Sequence, residues 1–196
     1  MMELLLLLLL PLAAPDGCRP PPPHPLVATK TPYRLLAPRG LPPPLEVPGR
    51  EAVAVWGLVR HGTRYPSRPA IVRMGAELEL LRQRILEGRG GLCRADLEEL
   101  GGWAVEVAEE QAKHLHVEGE KEMEGLGERL QARLPGLLGN YTAGEFVLRA
   151  TATQRAEASG RFFARGLFGR PVRWEPPVLP QDPVIRSYKL CPRSLA

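Results

Sequence analysis

Residues 60–66 read Arg-His-Gly-Thr-Arg-Tyr-Pro, which sets one imidazole, His61, between two guanidinium groups, Arg60 and Arg64. A neutral imidazole can attack phosphorus and carry the phosphoryl group. Guanidinium groups bind phosphate oxygens bidentately and stabilise the charge that spreads over them in the transition state. Neither role needs a metal, and no cofactor is expected. An acid must still protonate the departing alkoxide. Two more arginines, Arg149 and Arg155, lie six positions apart farther along the chain. In a chain this rich in Arg, Gly and Pro, the pattern Arg-His-Gly-x-Arg-x-Pro arises by chance roughly once in 2,000. An ordinary arginine-rich surface turn is therefore the weaker reading.

Such a loop needs elements to hold it. It follows an unbroken apolar run, residues 52–59, which reads as a central parallel strand buried on both faces. Residues 69–87 repeat Ile71, Met74, Leu78, Leu81 and Ile85 at helical spacing, with 88–91 as the stop. Residues 96–115 read as a second helix, its first turns weakened by Gly101 and Gly102. Residues 120–134 read as a third, closed by Pro135-Gly136. A short strand is expected at 145–150 and a fourth helix at 154–167, ended by Gly169 and Pro171. This alternation predicts an α/β fold with a parallel sheet and flanking helices. Ligands gather at the carboxyl ends of parallel strands. Arg60, His61 and Arg64 follow the first strand, and Arg149 and Arg155 lie at and after the end of the second. Parallel neighbours would thus converge three or four guanidinium groups on one imidazole.

Composition narrows the class. The net charge is +4, and 22 of the 26 basic residues are Arg, which suits a small anionic substrate. Nucleic acid is not an expected partner, and the sequence gives no oligomeric state. Residues 1–14 contain an unbroken leucine core, Leu4 to Leu10. That is the length of a signal-peptide core and too short to span a bilayer. Residues 15–48 are a Pro-rich lead-in, since 13 of the 22 prolines fall between 11 and 48. Residues 49–196 carry the α/β pattern. The odd set Cys18, Cys93 and Cys191 leaves one thiol over, with Cys93–Cys191 one candidate pairing. Asn140-Tyr-Thr is a glycosylation sequon, consistent with the endoplasmic reticulum lumen or secretion. No histidine or cysteine spacing suggests a metal. His114 and His116, two apart, are expected to stabilise a helix C-terminus.

The heptapeptide resembles the motif of the histidine acid phosphatases, and its Thr-Arg-Tyr-Pro variant resembles the inositol polyphosphate phosphatase branch. Residues 29–33, 119–134 and 149–168 are also similar, so the likeness covers roughly 27–193. The resemblance implies a phosphomonoesterase of the phosphoglycerate-mutase-like fold, acting on inositol polyphosphates or 2,3-bisphosphoglycerate. It implies His61 as nucleophile and Arg60, Arg64 and Arg155 as phosphate ligands, with Arg149 in support. The family's proton donor sits in a His-Ala-Glu or His-Asp motif, and none occurs here. Glu145, Glu157 and Asp182 are the carboxyls left to consider. The chain thus reads as the N-terminal part of such a domain, holding a phosphate cradle with little turnover. The alternatives are a non-catalytic polyanion-binding pseudoenzyme and a basic secreted protein unrelated to phosphate.

Overall fold

The computed structural model describes residues 40–89, 91–172, 179–180 and 182–190. The leucine-rich leader, most of the Pro-rich lead-in, Cys18 and Cys191 lie outside the described residues. The described residues divide into two compact units, one within Pro69–Glu109 and the other within residues 40–68 and 110–190.

The first unit is built on α1 (Arg68–Arg84) and α2 (Arg94–Gly102). Of the expected α1 stripe, Ile71 is buried, Met74, Leu78 and Ile85 are half-buried, and Leu81 is exposed. Arg82 joins the two helices: it grips Glu79 through two 2.9 Å bonds and donates to the Gly101 carbonyl at 3.0 Å. A wider turn, Ile85–Arg89, follows α1, and Gly88 leaves it at φ 83°, a conformation that favours glycine. The helix expected over 96–115 stops instead at Gly102. Each glycine in a helix interior costs about 1 kcal/mol relative to alanine, so the Gly101-Gly102 pair terminates it. Cys93 is disulfide-bonded.

The second unit rests on α3 (Val117–Arg133) and α5 (Gln154–Phe168), with the short α4 (Pro135–Leu138) between them. Two glycines set the crossing of α3 and α5. A Cβ at Gly127 would fall under 3.0 Å from the α5 backbone, and one at Gly166 under 3.0 Å from the α3 backbone. The backbones therefore touch directly, flanked by buried Met123, Ala164 and Leu167. Arg165 closes the contact with a two-pronged ion pair to Glu124, which holds the Glu124 carboxyl below the usual range. Gly169, at φ 66°, ends α5 by donating its N–H to the Arg165 carbonyl. Tyr141, Phe146 and Phe168 form an aromatic cluster over that end, with centroids 4.8–5.8 Å apart.

The sheet is where sequence and structure part. Among the described residues there is no strand ladder, only isolated bridges at Val47–Arg50 and Arg64–Leu115. Residues 52–59 are exposed: Val53 is 88%, Trp56 87% and Leu58 79% accessible. Residues 145–150 also form no strand, and Ala150 alone among them is buried. A strand exists only by exchanging backbone bonds with a neighbour, and neither segment has one among the described residues.

Candidate active site

The Arg-His-Gly loop lies wholly in the second unit, and its downstream limb is zipped to residues 113–116. His116 N–H donates to the Thr63 carbonyl, Tyr65 N–H to the His114 carbonyl, and Lys113 N–H to the Pro66 carbonyl, each at 2.9 Å. Lys113 closes this turn at φ 63°. Leu115, buried in the middle of that partner segment, donates its N–H to the side-chain oxygen of Gln154 at 2.9 Å. The segment is thereby hooked to the first residue of α5. The Tyr65 ring meets the His116 ring edge-on, 4.9 Å between centroids.

Two helices hold the loop at its centre. Gly62 N–H donates to Ser159 Oγ on α5 at 3.1 Å, and Ser159 is only 4% exposed. Thr63 donates its N–H and its hydroxyl to the two carboxylate oxygens of Glu122 on α3, at 2.7 and 2.9 Å. A Cβ on Gly62 would fall under 3.0 Å from the Gly119 backbone, and a Cβ on Gly119 under 3.0 Å from Thr63. The loop therefore sits backbone to backbone on the first turn of α3, a seat that both glycines make possible.

This seating orients the reactive groups. His61 is half-buried, and its Nδ1 lies 2.8 Å from the Gly62 carbonyl. A carbonyl can only accept, so Nδ1 carries the proton and the neutral ring keeps its lone pair on Nε2. That tautomer suits an attacking Nε2. Arg155 is half-buried on α5, four residues before Ser159. Residues at that spacing are neighbours on one helix face, about 5–6 Å apart at Cβ. Arg155 thus shares its face with the hydroxyl that holds Gly62, next to His61. Arg60 and Arg64 are exposed, and Arg64 donates to the Tyr65 carbonyl at 2.7 Å. Among the described residues Arg60, Arg64 and Arg155 pair with no carboxylate, whereas Arg82, Arg94, Arg149 and Arg165 all do.

Arg149 stands apart from the other three. It donates to Asp182 Oδ2 at 2.9 Å, and Asp182 is 2% exposed. Burial pushes the Asp182 carboxyl up, but the N–H groups of Ile185 and Val184 and the Arg149 guanidinium outweigh it and hold the carboxyl below the usual range. Asp182 is an ionised brace and a poor proton donor. Glu157 lies 3.7 Å from Arg161, and Glu145 is exposed. The expected place of His116 also changes. It is the N-cap of α3, its Nδ1 accepting from Glu118 N–H at 3.0 Å, and not a residue at a helix C-terminus. No group of three His, Cys, Asp or Glu side chains that could hold a metal occurs among the described residues.

Sequence reasoning missed Ser159 and Glu122. The first was findable as the small polar residue one turn beyond Arg155. The second sits three residues after Gly119, but nothing local in sequence joins it to Thr63.

With this geometry the similarities to known proteins can be read. The model of the histidine phosphatase superfamily (branch 2) matches residues 53–183, and the chain belongs to that family. Within the family it is similar to multiple inositol polyphosphate phosphatase 1 of Drosophila melanogaster, with 30% identity covering 97% of this chain and 45% of the fly protein. The chain spans just under half the length of that relative. No solved structure matches it significantly. No helix among the described residues is long and apolar enough to cross a membrane.

Proposed function

We propose that this chain carries the phosphate-capturing part of a phosphomonoesterase that acts on inositol polyphosphates, with 2,3-bisphosphoglycerate a second substrate, through a phosphohistidine at His61. The observation that carries the reading is the Gly62–Ser159 hydrogen bond, which joins the His61 loop to the helix face bearing Arg155. Arg60, Arg64 and Arg155 neutralise the non-bridging oxygens while Nε2 of His61 forms the N–P bond and the ester P–O bond breaks. Water then attacks the phosphohistidine, releases phosphate and restores the imidazole. A parallel sheet belongs to the same proposal, with residues 52–59, exposed in this structure, as the apolar segment on which neighbouring strands would pair. So does a secretory-pathway location, supported by the disulfide at Cys93 and by an exposed sequon asparagine, Asn140.

The first chemical step depends on the leaving group. With Asp182 ionised and no His-Ala-Glu or His-Asp sequence in these 196 residues, an alkyl phosphate has no evident proton donor. An aryl phosphate that leaves as a stable phenolate does not need one. The chain is therefore expected to take labelled phosphate from an aryl ester onto His61, and to release little from inositol hexakisphosphate. Acid-labile label that persists in His61→Ala would refute the nucleophile. Turnover of the alkyl ester as fast as the aryl one would refute the missing acid. Saturable inositol phosphate binding with no label from either ester would favour the pseudoenzyme reading.

A further inference from the structure

We infer that Glu122 is a positioning residue for the phosphate loop, an inference that rests on the phosphohistidine reading above. A carboxylate this close to an anion-binding loop is unfavourable unless it has another task. Left free it would repel phosphate and compete for the arginines. Both Glu122 oxygens are instead taken by Thr63, one by its N–H and one by its hydroxyl. Charge-assisted bonds of this kind are stronger than neutral ones, and two of them from one carboxylate fix the Thr63 backbone as well as its side chain.

The placement of Thr63 gives this clamp its consequence. His61 lies two residues before it and Arg64 directly after it. The consecutive N–H groups of Gly62 and Thr63 are each held by a side chain from a different helix, Ser159 on α5 and Glu122 on α3. Gly119, three residues before Glu122 and on the same face of α3, brings that helix close enough for the grip. Among the described residues Glu122 thus makes no hydrogen bond or ion pair with the nucleophile or with any of the three phosphate arginines. It sets the backbone from which His61 and Arg64 are displayed, so that phosphate meets an ordered loop and binding does not have to order it.

The test uses the full 196-residue chain with inorganic phosphate as probe, and Glu122→Ala, Glu122→Gln, Thr63→Val and the double variant Thr63→Val/Glu122→Ala. Three readouts are taken: amide hydrogen exchange at Gly62 and Thr63, phosphate affinity by calorimetry, and thermal melting. Glu122→Ala should speed exchange at Thr63 and weaken phosphate about tenfold, the scale of a lost charge-assisted hydrogen bond. Glu122→Gln keeps an acceptor oxygen for Thr63 N–H and should recover most of that loss. The double variant should be no worse than the poorer single one, because both remove the same clamp. If Glu122→Ala fails to fold, Thr63→Val supplies the same readouts with α3 intact. Unchanged phosphate affinity in Glu122→Ala or Thr63→Val overturns the positioning role alone. So does Glu122→Gln as damaging as Glu122→Ala. A wild-type chain that binds no phosphate overturns the phosphate reading itself, and this role with it.

Discussion

The two flanks of the Arg-His-Gly loop are built by opposite means. Downstream, residues 63–66 are paired to 113–116 and seated on α3, and α5 is tied in through Ser159 to Gly62 and through Gln154 to Leu115. Upstream, residues 52–59 are more strongly apolar than any other stretch of the second unit, yet they stay exposed and unladdered among the described residues. The stronger hydrophobic pattern made the less settled structure. Helix pairing and backbone seating are satisfied within a contiguous set of described elements. A strand apolar on both faces needs neighbours along two edges and cover over two faces. The Arg-His-Gly loop is therefore anchored from its helical side.

This contrast can be broken or sharpened by substitution. The largest effect falls on the loop itself. His61→Ala should lower phosphoryl labelling from an aryl phosphate by at least about 10³-fold, measured as acid-labile label per chain, with the melting temperature nearly unchanged. Next comes the seat. Gly119→Val forces a side chain against Thr63 and should destabilise the chain by about 3 kcal/mol, read from urea unfolding. An unchanged midpoint would show that the loop does not lie on α3. On the other flank Trp56→Ser should alter stability by no more than about 0.5 kcal/mol, as for an exposed surface site, while reducing self-association in sedimentation. A large destabilisation there would mean that the run is buried.

The smallest effect concerns Asp182. Its carboxyl is held below the ordinary value in the folded chain, so its contribution to stability is complete above the ordinary carboxylate range. That contribution is lost as pH falls through the folded value. Wild type should therefore exceed Asp182→Asn in stability at neutral pH, and the gap should close as the solution is acidified below about pH 4. A gap that widens on acidification would show that the brace acts with the opposite sign.

What the sequence disclosed follows the range of the forces involved. The ends of α1, α3 and α5 are legible because Gly88, Pro135 and Gly169 act within one turn. The early stop of α2 was legible in kind, since Gly101 and Gly102 are visible, but a helical stripe running on to Leu115 concealed it. The loop stood out as a candidate phosphate site because Arg60, His61 and Arg64 fall within one heptapeptide. Its anchoring did not. Ser159 lies 97 residues from Gly62 and Glu122 lies 59 from Thr63, and no local pattern couples them. Arg149 illustrates the same limit: the sequence set it beside the other arginines in a supporting place, and only the structure gives the buried Asp182 as its partner. The two expected strands form no ladder among the described residues, because apolar periodicity reports what a segment needs and not whether a neighbour supplies it.

The central claim is that cations from two separate segments grip one phosphate beside His61. Calorimetric titration of inorganic phosphate into wild type, Arg64→Ala, Arg155→Ala and the double variant tests it most directly. Each single change should weaken binding about tenfold or more, and the two losses should be non-additive because they share one anion. Phosphate affinity unaltered by Arg155→Ala in a chain that otherwise binds phosphate through Arg64 would contradict it.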